Sequence, residues 1–167
     1  VAYTGAIGSW TLTTTAGFAR PLLGSATSPE LDLLTADISS NAGGRLQIFA
    51  TAGGFTVPGS ISLTAGGTTA GTVQFDYWQC MANWPYHTDF QFGPTAALGS
   101  GAFSVTDSGS SGYNWPYYSL TVGAEIIHTS AGMTSFDANV QVPEPTTLLL
   151  LGFGLIGLAG VGRKFKK

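Results

Sequence analysis

Residues 1–142 offer little to titrate: two histidines, one cysteine and eight carboxylates. His87 and His128 are far apart, and neither stands in an HExxH helix or beside a GxSxG elbow. A zinc-protease helix and a serine nucleophile are therefore not encoded. The sequence assigns no catalytic residue, and the chain reads as no enzyme. Asp76, Cys80, His87 and Asp89 put metal-ligand types within 14 residues. That spacing matches no known metal motif, and a single cysteine excludes CxxC sites and intrachain disulfides. No metal and no cofactor is assigned. Cys80 reads as a small buried apolar residue, with a bridge between chains as the alternative. Asp107-Ser108-Gly109-Ser110-Ser111-Gly112 holds one acid, too few for an EF-hand loop, and reads as a turn. Asp32, Asp37, Asp89, Asp107 and Asp137 are scattered oxygen donors that could meet Ca²⁺ only between loops.

The aromatic residues are more organised. Asn83-Trp84-Pro85-Tyr86 recurs as Asn114-Trp115-Pro116-Tyr117, and seven of the 18 residues from Phe75 to Phe92 are aromatic. Proline puts both copies in loops or at strand ends. Trp84, Tyr86, Trp115 and Tyr117 then have two readings. They form an exposed platform that stacks on sugar rings or anchors a neighbouring subunit, or they pack two loops together and close the core.

The C-terminal segment has a different character. Thr146 to Gly162 is a run of 17 uncharged residues, with Leu148, Leu149, Leu150, Leu151, Phe153, Leu155, Ile156, Leu158 and Val161 as its apolar members. As a helix it would extend about 25 Å, slightly short of the roughly 30 Å hydrocarbon layer. Arg163, Lys164, Lys166 and Lys167 follow it as a basic stop, which favours a cytoplasmic C-terminus and a body across the membrane. A core helix is the alternative. It is disfavoured by five glycines in the run, which weaken a helix in water and suit close helix pairing in lipid. Pro143-Glu144-Pro145 precedes the run and ends any strand before it. In this order and at this end of the chain, residues 143–167 resemble the PEP-CTERM sorting signal of exported bacterial proteins. The segment from Ser119 to Ala138 more weakly resembles the final strands of such proteins. The resemblance implies a secretory leader removed ahead of Val1, and exosortase as the partner that recognises Pro143, Glu144 and Pro145 and processes the chain. It also implies transient anchoring in the membrane by the C-terminal helix and a destination at the cell surface or in the extracellular matrix of exopolysaccharide-making bacteria. It implies no enzyme.

Composition sets the wider frame. The 167 residues are 44% hydrophobic, 12% aromatic and 9% charged, with 24 glycines, enough apolar material for one core and too little charge for a disordered chain or a coiled coil. Residues 1–142 carry eight acids against Arg20 and Arg45 alone. Such a body cannot neutralise a run of phosphates, which excludes nucleic acid as a partner.

The elements that must hold these residues are strands. Phe136, Ala138, Val140 and Val142 alternate with polar residues, as do Leu120, Val122, Ala124 and Ile126, then Val73, Phe75 and Tyr77. Ile61 with Leu63, Trp10 with Leu12 and Leu46 with Ile48 are shorter cases, and Leu31 to Ile38 is ambiguous. Ala-Gly-Gly at Ala42, Ala52 and Ala65 reads as turns with positive φ. The expected fold is all-β: an antiparallel β-sandwich or jelly roll of about eight to ten short strands over residues 1–142, followed by the hydrophobic helix of the sorting segment, residues 143–167. A closed barrel is the alternative; a membrane β-barrel is disfavoured because strands of about nine to eleven residues with aromatic girdles are not evident. The expected function is a surface or matrix structural protein that assembles with its own copies as a homo-oligomer, with an exopolysaccharide-binding module using the Trp84 and Trp115 loops as the alternative.

Overall fold

The computed structural model describes residues 1–19, 23–56, 59–110 and 116–142. The sorting tripeptide, the apolar run, the basic stop and Trp115 lie outside the described residues. Among the described residues no helix is long and apolar enough to cross a membrane.

The described residues of the body form ten strands: β1 (Ala2–Ile7), β2 (Trp10–Ala19), β3 (Glu30–Ser40), β4 (Gly44–Phe55), β5 (Ile61–Thr69), β6 (Thr72–Cys80), β7 (Phe90–Gln91), β8 (Gly101–Gly109), β9 (Tyr118–His128) and β10 (Gly132–Gln141). They make a six-stranded sheet in the order β1-β2-β3-β10-β5-β8 and a four-stranded sheet in the order β4-β9-β6-β7. Every pairing is antiparallel. The architecture is an antiparallel β-sandwich. Most strands run nine to twelve residues, longer than the sequence suggests.

Period-two alternation turns one face of each sheet inward. Leu120, Val122, Ala124 and Ile126 of β9 meet Phe136, Ala138 and Val140 of β10 in a shared core. Phe75 stands edge-on to Phe136, ring centroids 5.2 Å apart, a favoured aromatic geometry. Burying these side chains is the main force that holds the sheets together, about 1.5 to 3 kcal/mol for each large apolar residue. The ambiguity of Leu31 to Ile38 has a structural cause. Leu31, Leu33 and Ile38 are all buried, although the first two are odd-numbered and the third even. Register shifts lie between Leu12 and Thr14 on one neighbour of β3 and between Thr134 and Phe136 on the other; such bulges switch which parity faces the core.

The Ala-Gly-Gly turns are corrected in two cases of three. Only Gly43 and Gly44 stand at a strand junction, while Gly53 and Gly54 lie within β4 and Gly66 and Gly67 within β5. Gly54 alone of the six has a positive φ, 76°, at the register shift between Ala52 and Phe55. At Gly67 the reason for glycine is space: a Cβ would collide with the Ser135 carbonyl and the Phe136 backbone.

Candidate functional site

The outer face of the four-stranded sheet carries the densest chemistry. Cross-strand register lays it out in rungs: Gln47, Glu125 and Gln74; Phe49, Gly123 and Asp76; Thr51, Thr121 and Trp78. Glu125 Oε2 accepts from Arg45 Nη2 in an ion pair and from Gln47 Nε2 at 2.9 Å. Gln91 Nε2 donates to Asp76 Oδ1 at 2.8 Å, and the Thr51 and Thr121 hydroxyls lie 3.0 Å apart. Gly123 sits beneath two rings. A Cβ there would lie 2.6 Å from Phe49, and its absence lets Phe49 and Trp78 approach to 5.9 Å between centroids.

The first aromatic copy lies across one end of this face. Residues 81–89 link β6 to β7, and three bonds fasten them to the sheet. Asn83 Oδ1 accepts from Gly54 N at 2.5 Å, Ser119 Oγ donates to the Trp84 carbonyl at 2.7 Å, and Tyr86 N donates to Thr51 Oγ1 at 3.4 Å. Asn83 and Tyr86 hold φ of 56° and 58°. Asparagine tolerates that region, but for a bulky tyrosine it is strained, and strain of this kind persists where surrounding contacts impose it. The result is outward display: Trp84 is 60% exposed, Tyr86 63%, and Phe49 44%.

The four residues expected to form a platform are thus placed as follows. Trp84 and Tyr86 share the β6–β7 loop. Tyr117, 59% exposed, stands just ahead of β9, and Ser119, two residues on, binds the Trp84 carbonyl, so the second copy's end runs beside the first. Trp115 is outside the described residues. Phe49, Trp78, Gln47, Glu125 and Gln91 were not singled out in the sequence, and Asp76 was weighed there only as a metal-ligand type. Their signal was the outward half of the alternation in β4 and β6, read only for its inward half.

Tyr86 also stands at the rim of a cleft of ≈ 570 Å³ between β1, β2 and β3 on one side and β4 on the other. Leu31, Leu33, Ile48 and Ala50 give it an apolar floor, and Thr15 Oγ1 lies buried there with no hydrogen-bond partner among the described residues.

At the base of the same loop, three of the four metal-ligand types that the sequence places within 14 residues come together, without Asp76. One ligand atom from each of Cys80, His87 and Asp89 lies within 4.8 Å of the other two. His87 Nδ1 is 2.8 Å from Asp89 Oδ1, and Asp89 Oδ2 accepts from Met81 N at 3.1 Å. Burial raises the pKa of Asp89, but hydrogen bonds from the Cys80 thiol and the Met81 amide, with the charge of His87, outweigh it and hold the carboxyl below its usual range. The Trp84 ring stands edge-on to His87 at 5.4 Å. Cys80 itself is buried, as expected.

His128 belongs elsewhere. It is buried between the sheets, 4.8 Å from the Trp10 ring, with Nδ1 2.7 Å from Ser40 Oγ and Nε2 2.8 Å from Thr134 Oγ1. Burial holds its pKa below the usual histidine value, which keeps a neutral ring in the core.

Residues 141–164 match the family model of the PEP-CTERM protein-sorting motif. The chain carries a PEP-CTERM sorting motif. The motif marks an exported protein with a C-terminal sorting signal and implies processing by exosortase. No curated protein is significantly similar to the chain. Among solved structures, it is similar to a carbohydrate-binding module of the β-sandwich superfamily, at 15% identity and a TM-score of 0.40, covering 81% of this chain and 56% of that one. A second is TmCBM61, solved in complex with β-1,4-galactotriose, at 6% identity and a TM-score of 0.38, covering 80% of this chain and 90% of that one. The chain spans little more than half the length of the first of these. At these scores the likenesses carry no functional argument.

Proposed function

We propose that this exported PEP-CTERM protein is a non-enzymatic surface or matrix protein that binds a neutral polysaccharide on the outer face of its four-stranded sheet. One observation carries this. Phe49, Trp84 and Tyr86 are large apolar rings kept exposed beside Gln47, Glu125, Asp76 and Gln91, whose amides and carboxylates match the hydroxyls around a sugar ring. A sugar presents an apolar face to a ring and a polar edge to such groups, so the two sets are complementary. Charge selects the class of glycan. Arg45, the sole Lys or Arg on this face among the described residues, is engaged by Glu125, and the body's excess of acids repels polyanions.

Affinity electrophoresis through gels containing a neutral galactan, glucan or mannan, or an acidic alginate, tests the reading. Retardation by at least one neutral polymer is expected, with W84A and Y86A each restoring free mobility. Absence of retardation in every gel, or retardation that both variants keep, overturns it.

A second reading has its own observation. The six-stranded sheet ends in β1 and β8, and among the described residues no further strand pairs with either. Their fifteen residues include one charge, Asp107, and no lysine or proline, the usual guards of an open edge. Pairing of β8 of one copy with β1 of the next would build an open-ended array. Light scattering across a concentration series would show growth that T106K, on the outward side of β8, suppresses; a concentration-independent monomer removes this reading.

A further inference from the structure

We propose that Cys80, His87 and Asp89 form a binding site for one zinc-class divalent cation, with a fourth coordination position left open. The strand pairing supplies the frame. Gln79 is registered opposite Phe90, so Cys80 and Asp89 occupy the next positions where the β6–β7 connection opens, and His87 folds back beside them. Three donor atoms on a ten-residue segment therefore already lie within 4.8 Å of one another. The Met81 amide fixes the second carboxylate oxygen of Asp89 at 3.1 Å, the kind of outer hydrogen bond that orients a ligand.

The donor types choose the ion. A thiolate, an imidazole and one carboxylate suit Zn²⁺, whereas Ca²⁺ and Mg²⁺ require a shell of oxygen atoms. Ligand atoms around tetrahedral zinc stand about 3.3 to 3.7 Å apart, given bonds of about 2.0 to 2.3 Å. Loading therefore asks His87 Nδ1 and Asp89 Oδ1 to part by roughly half an ångström from 2.8 Å. Exposed His87 and Asp89 allow that movement, while buried Cys80 anchors the other side.

Position gives the site a consequence. The metal would close residues 81–89 into a loop and fix the His87 ring against which Trp84 stands at 5.4 Å. It would hold the strained turn at Asn83 and Tyr86 in its outward-facing form. The site stands whether or not the face above it takes a sugar.

The test uses the full chain in mild detergent, reduced, stripped with chelator and titrated with Co²⁺ as a spectroscopic probe. One Co²⁺ per chain is expected, with a thiolate-to-cobalt charge-transfer band in the near ultraviolet that Zn²⁺ bleaches. C80S should abolish the band. Because Cys80 is buried, the exposed partners carry the decision: H87A and D89N should each lower affinity at least about tenfold with unchanged far-ultraviolet circular dichroism. A folded wild-type chain without the band, or a band whose titration either variant leaves unchanged, overturns the proposal.

Discussion

The two outer faces of the sandwich obey one alternation rule and arrive at different surfaces. Across the four-stranded sheet the outward positions hold Phe49, Trp78, Gln47, Gln74, Asp76 and Glu125, roofed at one end by the loop that bears Trp84 and Tyr86. Outward rungs of the six-stranded sheet read Asp32, Asn139, Thr64 and Thr106, then Leu34, Asp137, Gly66 and Ser104. Apart from Leu34 and from Phe18, which pairs with Asp32, those positions are small and polar; the described residues fasten no loop over them, and their charge is concentrated at Glu30, Asp32 and Asp137. Alternation alone therefore makes a solvated face. A binding face needs rings as well, and it needs a loop with its own fastening to hold them in water.

The comparison breaks first at the exposed rings. If the faces differ in function, W84A should weaken retention of a neutral polysaccharide by about thirtyfold, the effect of losing an anchor worth about 2 kcal/mol. T64V on the opposite face should change it by less than about twofold, in line with a surface substitution within about 0.5 kcal/mol. Equal losses in the two variants would mean the faces are not distinct.

A pair of glycines sharpens the same contrast without a ligand. Gly123 lies under Phe49 and Trp78, where a Cβ would approach the first ring to 2.6 Å; a Cβ on Gly66 meets only the Phe103 carbonyl at an ordinary 3.5 Å. G123T should therefore destabilise the fold by about 1 to 3 kcal/mol, the usual range for overpacking. G66T should be neutral or stabilise by up to about 1 kcal/mol, because a β-branched residue replaces the most flexible one in a strand. Thermal unfolding by circular dichroism reads both. A G66T variant as damaged as G123T would refute the view that the six-stranded face is open.

Much of the body was legible in the sequence because buried strands repeat with period two. β6, β9 and β10 declare themselves through Val73 to Tyr77, Leu120 to Ile126 and Phe136 to Val142, and the structure buries those residues as expected. β3 does not declare itself, since bulges change its parity between Leu33 and Ile38. The Ala-Gly-Gly triplets mislead for a related reason: a glycine serves a close approach or a bulge inside a strand as readily as it serves a turn. Of the site, proline and the repeated tetrapeptide placed Trp84 and Tyr86 in a loop. The partnership of Phe49 with Trp78 depends on register across β9, with Gly123 between them. The meeting of Cys80, His87 and Asp89 depends on a loop that returns to its own strand; neither is written in linear spacing.

Two titrating groups, one on the six-stranded face and one between the sheets, give the finest test. Burial, then a hydrogen bond and repulsion from Asp137, then repulsion from Glu30, push the pKa of Asp32 from 3.8 up to about 7. Its buried Oδ1 has no hydrogen-bond partner among the described residues. The folded state thus binds the Asp32 proton more tightly than the unfolded chain, so the stability it contributes is full below pH 3.8 and is lost as pH rises through about 7. His128 has the opposite sign. Its pKa is lowered from 6.5 by burial, so the unfolded chain binds the proton more tightly and stability falls as pH drops below 6.5. Thermal unfolding across these ranges should show two opposing slopes that variants separate. D32N should raise stability near neutrality by about 1 kcal/mol, a figure reduced for solvent screening at the sheet surface, and should remove the decline toward pH 7. H128Q should remove the decline on the acid side while leaving the other. If D32N leaves the neutral limb unchanged, Asp32 holds no proton that stabilises the fold near neutrality, and the six-stranded face is solvated there.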